Sequence, residues 1–148
     1  MAVGAWTFYN KFRKNIGAGN VNLLGTMKMA LYTSASNAAT ATLSTKGSVT
    51  SEVTGANGYA TGGAALAATV TWTAGASAGQ LRFNAGTQSW KASGGTIPNI
   101  KFAVIWASAA TPGAKLVCYS QLSTAQFTLS ANNTISITPS ATGIFNLA

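Results

Sequence analysis

The chain has 148 residues, 47% of them hydrophobic and 7% charged, with nine Lys and Arg against a single acid, Glu52, no Asp and no His, for a formal net charge of +8. Ordinary soluble domains carry roughly 25% charged residues, and disordered chains are rich in charge and poor in aliphatics, the reverse of what is found here. Acid–base chemistry that relies on His or on paired carboxylates has no residues to run on.

The length suits one domain. Residues 1–26 are expected to form an N-terminal arm or short helix, and residues 27–148 an antiparallel β-sandwich or jelly-roll-like domain, an all-β fold. Within 5–17, Trp6, Tyr9, Phe12 and Ile16 recur at offsets of three and four, the spacing of one helical face. Lys11 and Lys14 lie off that stripe, and Gly17 and Gly19 stop it. Such an element either caps the core or serves as an arm that docks on a partner.

Residues 27–33 (Met-Lys-Met-Ala-Leu-Tyr-Thr) predict a first strand, and 34–51, rich in Ser, Thr and Ala without a period, predict a long surface loop. Residues 52–63 are rich in turn residues around Asn57-Gly58. The period then becomes two. Val70 and Trp72 alternate with Thr69, Thr71 and Thr73, and Leu81 and Phe83 alternate with Gln80 and Arg82, a hairpin across 74–79. Trp90 marks another short strand. Ile100 to Ala107 reads as a buried central strand, started by Pro98 and paired with 115–122 across Thr111-Pro112-Gly113. Phe127, Leu129 and Ala131, the turn Asn132-Asn133, and Ile135 and Ile137 predict a second hairpin. A last strand lies in 143–147. Roughly eight or nine short strands with frequent turns favour an antiparallel sandwich over βαβ units.

Candidate chemistry is sparse. One Cys and one Glu far apart cannot supply three or four metal ligands, so neither a metal nor a cofactor is expected, and no catalytic residue is assigned. Gly75-Ala76-Ser77-Ala78-Gly79 matches the nucleophile-elbow pattern, which needs a strand-to-helix turn and a His base; strands flank it here, so a hairpin loop is expected. A Ser–Lys dyad has no supporting spacing. Asn132-Asn133-Thr134 matches a glycosylation acceptor but reads as a turn. Glu52 is expected in a structural ion pair or an interface contact, and Cys118 as a small buried hydrophobe. Of the four Trp residues, Trp72 and Trp106 fall at core-like strand positions. The N-terminal residues lack the continuous apolar run of a signal peptide and the longest apolar run, 102–107, is too short to span a bilayer, so cytoplasmic synthesis and no membrane partner are expected. Basic and aromatic residues concentrate only in 6–14, which makes Trp6, Tyr9, Lys11, Phe12, Arg13 and Lys14 the candidate partner-contact residues.

Several segments, in order, carry a likeness. They are Met-Ala-Val-Gly-Ala-Trp-Thr-Phe-Tyr-Asn at 1–10, Met-Lys-Met-Ala-Leu-Tyr-Thr-Ser-Ala-Ser-Asn at 27–37, and Glu52-Val53 through Asn57-Gly58-Tyr59-Ala60-Thr61-Gly62-Gly63. Trp90 to Gly95, Phe102 to Ile105, Leu116 to Tyr119 and Gly143 to Phe145 complete it. Together they resemble a family of small virion proteins of tailed bacteriophages, found among head and structural proteins. The resemblance implies a β-sandwich-like subunit present in many copies on the particle. Members often carry acids between the counterparts of Phe83 and Trp90, where this chain has Asn84 to Ser89, so a cation-dependent contact by that loop is not expected here.

The leading expectation is a non-enzymatic capsid cement (decoration) protein on the outer face of the virion capsid. Its partners would be the major capsid protein and copies of itself, a homotrimer first. The alternatives are a tail, neck, baseplate or receptor-binding component, and a basic nucleic-acid-binding module. An enzyme ranks last.

Overall fold

The structure, a computed structural model, describes residues 4–22, 24–66, 71–108, 113–138 and 144–147, with backbone alone at 71, 72, 74 and 145–147. Among these residues the chain is all-β apart from one short α-helix and one 3₁₀ turn. In chain order the elements are β1 (Thr7–Phe8), α1 (Phe12–Gly17), β2 (Met27–Thr33), the 3₁₀ turn Lys46–Ser48, β3 (Ala64–Ala65), β4 (Thr71–Ala74) and β5 (Leu81–Asn84). Then follow β6 (Gln88–Lys91), β7 (Ile97–Ala107), β8 (Lys115–Gln121), β9 (Phe127–Leu129), β10 (Thr134–Ile137) and β11 (Phe145–Leu147). Every strand pairing is antiparallel. The expected residues Thr69, Val70, Thr111, Pro112 and Gly143, and the Trp72 side chain, lie outside the described residues.

The main sheet runs β1-β8-β7-β2-β3, with β9 on the first half of β7. The expected central strand is β7, which lies between β8 and β2. Both of its faces are apolar, which is why 102–107 reads as an unbroken hydrophobic run rather than an alternating one. Met27, Met29 and Leu31 of β2 join Ala103, Ile105 and Ala107 of β7 in one cluster. Phe83, Trp90, Ile135 and Ile137 of the smaller sheets enter the same cluster. The opposite face presents Ala30, Tyr32, Phe102, Val104 and Trp106 to a second cluster. A bulge between Ile105 and Trp106 skips Val117 in the β7–β8 register. Val117 and Cys118, adjacent in sequence, therefore both reach the first cluster while Leu116 enters the second.

The second apolar face has to be covered, and residues 34–51 cover it. The expected surface loop is an ordered layer: Ala38 is buried, and Leu43 and Val49 pack against the cluster. It is tied down at several points. The Tyr9 hydroxyl donates to the Ala38 carbonyl at 2.6 Å, Asn10 N–H to Ala41 at 2.9 Å, and Leu116 N–H to Ser44 at 3.1 Å. Asn37 holds the loop on itself, donating to the Ser48 carbonyl and accepting from Thr50 N–H. Small polar residues lie flat on a sheet, which explains a composition that mimics a solvent loop.

The smaller sheets are β10-β6 and β11-β5-β4. The expected hairpin across 74–79 forms, with Trp72 opposite Phe83. The expected second hairpin does not. Leu129 of β9 pairs with Ile97 of β7, whereas Ile135 of β10 pairs with Trp90 of β6. Between them Asn132 takes a positive φ of 69° and its N–H bonds Ala92, so the chain passes from one sheet to another instead of folding back. Asn57 and Gly58 both take positive φ, 53° and 91°, as the turn signal predicts. At Gly58 a Cβ would stand 2.1 Å from the Lys91 carbonyl oxygen, so that turn also lies close against β6.

Candidate functional site

The N-terminal segment is not one helical stripe. Thr7 and Phe8 pair with Tyr119 and Cys118 at the edge of β8, which satisfies their backbone groups better than an isolated turn of helix would. At strand period Trp6 and Phe8 share a face and Tyr9 takes the other. Trp6 and Phe8 pack against the first cluster, whereas Tyr9 sits in the second. The chain then turns, Phe12 N–H bonding the Tyr9 carbonyl at 3.0 Å. Helix α1 returns Phe12 and Ile16 to the first cluster. Tyr9 and Phe12, expected as contact residues, are thus interior side chains; Lys11, Arg13 and Lys14 are exposed and Trp6 is half-buried.

The helix and its N-cap carry the three cations, and Arg13 lies beside an aromatic pair. Phe8 stacks on Phe12 with centroids 5.3 Å apart, and the Arg13 guanidinium lies 5.7 Å from the Phe8 centroid. A cavity of about 280 Å³ opens between Phe8, Tyr9, Asn10 and Arg13. Phe8 belongs to the basic and aromatic concentration at 6–14 but was not assigned as a contact residue, and nothing in the sequence marked Asn10. Tyr9 packs on Tyr119 at 5.2 Å. Burial, followed by neighbouring Cys118, Tyr32 and Tyr119, holds the Tyr9 phenol far above its ordinary range, so at neutral pH it is a hydrogen-bond donor and not a proton carrier.

Glu52 anchors a second polar centre. Its Oε2 binds Lys46 Nζ at 2.5 Å, the structural ion pair expected from the sequence. Its Oε1 accepts from the Tyr59 hydroxyl at 2.9 Å and from Gly62 N–H. Tyr59 in turn accepts from Leu31 N–H of β2 at 2.9 Å. Lys46 also lies 6.0 Å from the Trp106 ring, which Lys28 approaches to 5.6 Å. The carboxylate thus joins the covering layer, the 52–63 turns and the main sheet.

The remaining expectations are placed as follows. Gly75 to Gly79 is the exposed link between β4 and β5, closed by Gly75 N–H on the Gln80 carbonyl at 2.9 Å, so Ser77 has the strand–loop–strand setting expected of a hairpin. Cys118 is a buried free thiol, pushed well above its ordinary pKa by burial. Trp90 and Trp106 are buried. Among the described residues no group of three or more His, Cys, Asp or Glu comes together, and no helix is long and apolar enough to cross a membrane. Comparison with family models, with curated proteins and with solved structures gave no match.

Proposed function

We propose that the protein is a non-enzymatic structural subunit of a tailed-bacteriophage virion, a capsid cement protein. It binds the outer capsid lattice as a homo-oligomer, trimer first, through the face that carries Lys11, Arg13 and Lys14. In this reading the two-faced main sheet and the smaller sheets form a sandwich of the jelly-roll kind. One observation carries the reading beside the sequence resemblance: the chain's single acidic side chain is bound internally by Lys46, Tyr59 and Gly62. The formal +8 therefore has no acidic side chain of its own left to face, and it draws the subunit to an acidic surface.

A ligand that binds only the assembled lattice stabilises that lattice by mass action. The apolar floor beside the cations supplies contact area, and the charges supply orientation and encounter rate. Particles stripped of the protein should take it up again and regain heat resistance. No rebinding, with stripped particles surviving heat as well as complete ones, ends the proposal; immunolabelling confined to the tail moves the role to a tail or baseplate component. A nucleic-acid reading is favoured by the net charge and by the Arg13 guanidinium over the Phe8 ring. It requires DNA affinity that falls steeply with salt.

A further inference from the structure

We infer that the cleft between Phe8, Tyr9, Asn10 and Arg13 receives a single carboxylate side chain, Glu or Asp, from a partner protein of a different sequence. The inference rests on the proposed docking role and deepens it by naming what the face recognises.

Size argues first. A cavity of about 280 Å³ falls just below the span of roughly 300–1,000 Å³ that holds small-molecule ligands and cofactors. It has room for an inserted side chain with its hydration. Its lining argues second. The half-buried Phe8 ring supplies an aromatic wall, the interior Tyr9 closes the lining behind it, and Asn10 and Arg13 stand exposed at the rim as donors. The Asn10 side-chain amide and the Arg13 guanidinium are both exposed, so their donors are open to an incoming group. Arg presents planar paired N–H groups that match a carboxylate, and the Arg13 guanidinium lies 5.7 Å from the Phe8 centroid, so charge and apolar surface adjoin. A short aliphatic stem ending in a carboxylate fills both halves of such a cleft.

Charge then selects the source. A second copy of this chain offers Glu52 as its sole acidic side chain, and that group is held by Lys46, Tyr59 and Gly62. The carboxylate side chain must come from another protein, which makes this face a heterologous one and sends self-association elsewhere on the subunit. Nucleic acid fits less well. Phe8 is engaged by Phe12 and Arg13 and is not a bare platform for a base.

The test uses the whole chain with three probes: a hexaglutamate peptide, its hexaglutamine counterpart, and a short DNA duplex. Hexaglutamate should shift the NMR signals of the Arg13 guanidinium and the Asn10 side-chain amide, and hexaglutamine should not. Arg13→Gln should weaken hexaglutamate binding about tenfold, whereas Lys91→Gln, at an exposed position on β6, should leave it within about twofold. Arg13→Gln should also weaken rebinding to stripped particles. Equal loss in both variants means diffuse attraction and overturns the cleft. Stronger perturbation of Arg13 by the duplex assigns the face to nucleic acid, and self-association abolished by Arg13→Gln assigns it to a second copy; either overturns the inference. Rebinding to particles unaffected by Arg13→Gln refutes the cleft and leaves the cement role standing. Absence of any rebinding by the wild type refutes the cement role itself.

Discussion

Replacing Glu52 tests the internal bookkeeping of charge. Its side chain is 11% exposed and that of its partner Lys46 is 25% exposed, so the pair is partly desolvated and worth more than a free surface pair. Glu52→Ala leaves the buried Tyr59 hydroxyl and the Gly62 N–H without their acceptor, at about 1–3 kcal/mol for the more buried group. It also leaves the Lys46 ammonium unpaired, a smaller loss of about 0.5–1 kcal/mol because water reaches it. Together these amount to about 2–4 kcal/mol, or a fall in Tm of about 10 °C for a domain of this size. Glu52→Gln keeps an oxygen for Tyr59 and Gly62 but turns an uncharged amide toward Lys46, and should cost about 1 kcal/mol. Equilibrium unfolding in urea, followed by Trp fluorescence, reads both; Trp90 lies 6.1 Å from Tyr59 and reports on the affected region. An Ala variant within about 0.5 kcal/mol of wild type, or Gln as costly as Ala, would refute the idea that one carboxylate ties the covering layer to the sheet.

Further expectations follow from the same contacts. Tyr9→Phe removes the donor to the Ala38 carbonyl and should cost about 1–2 kcal/mol, with faster amide exchange across 37–44. Gly63→Ala puts a Cβ 1.9 Å from the Met29 carbonyl oxygen at a φ of +69°; it should destabilise by about 3 kcal/mol or more, whereas Gly79→Ala, at a φ of +80° with nothing within 4 Å, should cost about 1 kcal/mol. The third concerns alkaline pH. Burial, first among the causes, raises the phenols of Tyr9, Tyr32 and Tyr59. The unfolded chain therefore releases these protons first, near pH 10. Their contribution is complete below about pH 10 and declines above it, by up to about 1.4 kcal/mol per pH unit for each phenol. Tyrosinate absorbance from these residues should rise with the loss of near-ultraviolet circular dichroism; ionisation near pH 10 with the fold intact would contradict it.

The strands that the sequence exposes most clearly are those whose neighbours hardly matter. Met27–Thr33 and Ile100 to Ala107 are apolar enough to be interior in any antiparallel arrangement, and the 71–84 hairpin joins two alternating runs through a short loop. Where the partner is distant in sequence, local pattern misleads. Residues 6–16 fit a helical spacing, yet the free edge of β8 takes Thr7 and Phe8 as a strand. Residues 127–137 alternate like a hairpin, yet Ile97 and Trp90 draw the two halves to different sheets. The covering layer has no period because its geometry follows the surface beneath it. At the candidate site the cations were visible in the sequence, since exposed Lys and Arg need no partner to be placed. The core-capping alternative implied burial of Tyr9 and Phe12, but not that they enter opposite clusters, which depends on the covering layer and on the main core.

The flanks of the main sheet are its shortest members. Among the described residues β1 and β3, at the two ends of the strand order, are two residues each, so each offers a foreign strand only a brief row of backbone groups to bond. Copies brought side by side repel one another through their like net charge of +8, but β1 and β3 carry no charged side chain, so charge does not guard the borders at which sheets could merge. Truncated borders deny such growth a starting point, which lets a weakly charged β protein stay discrete at high local density.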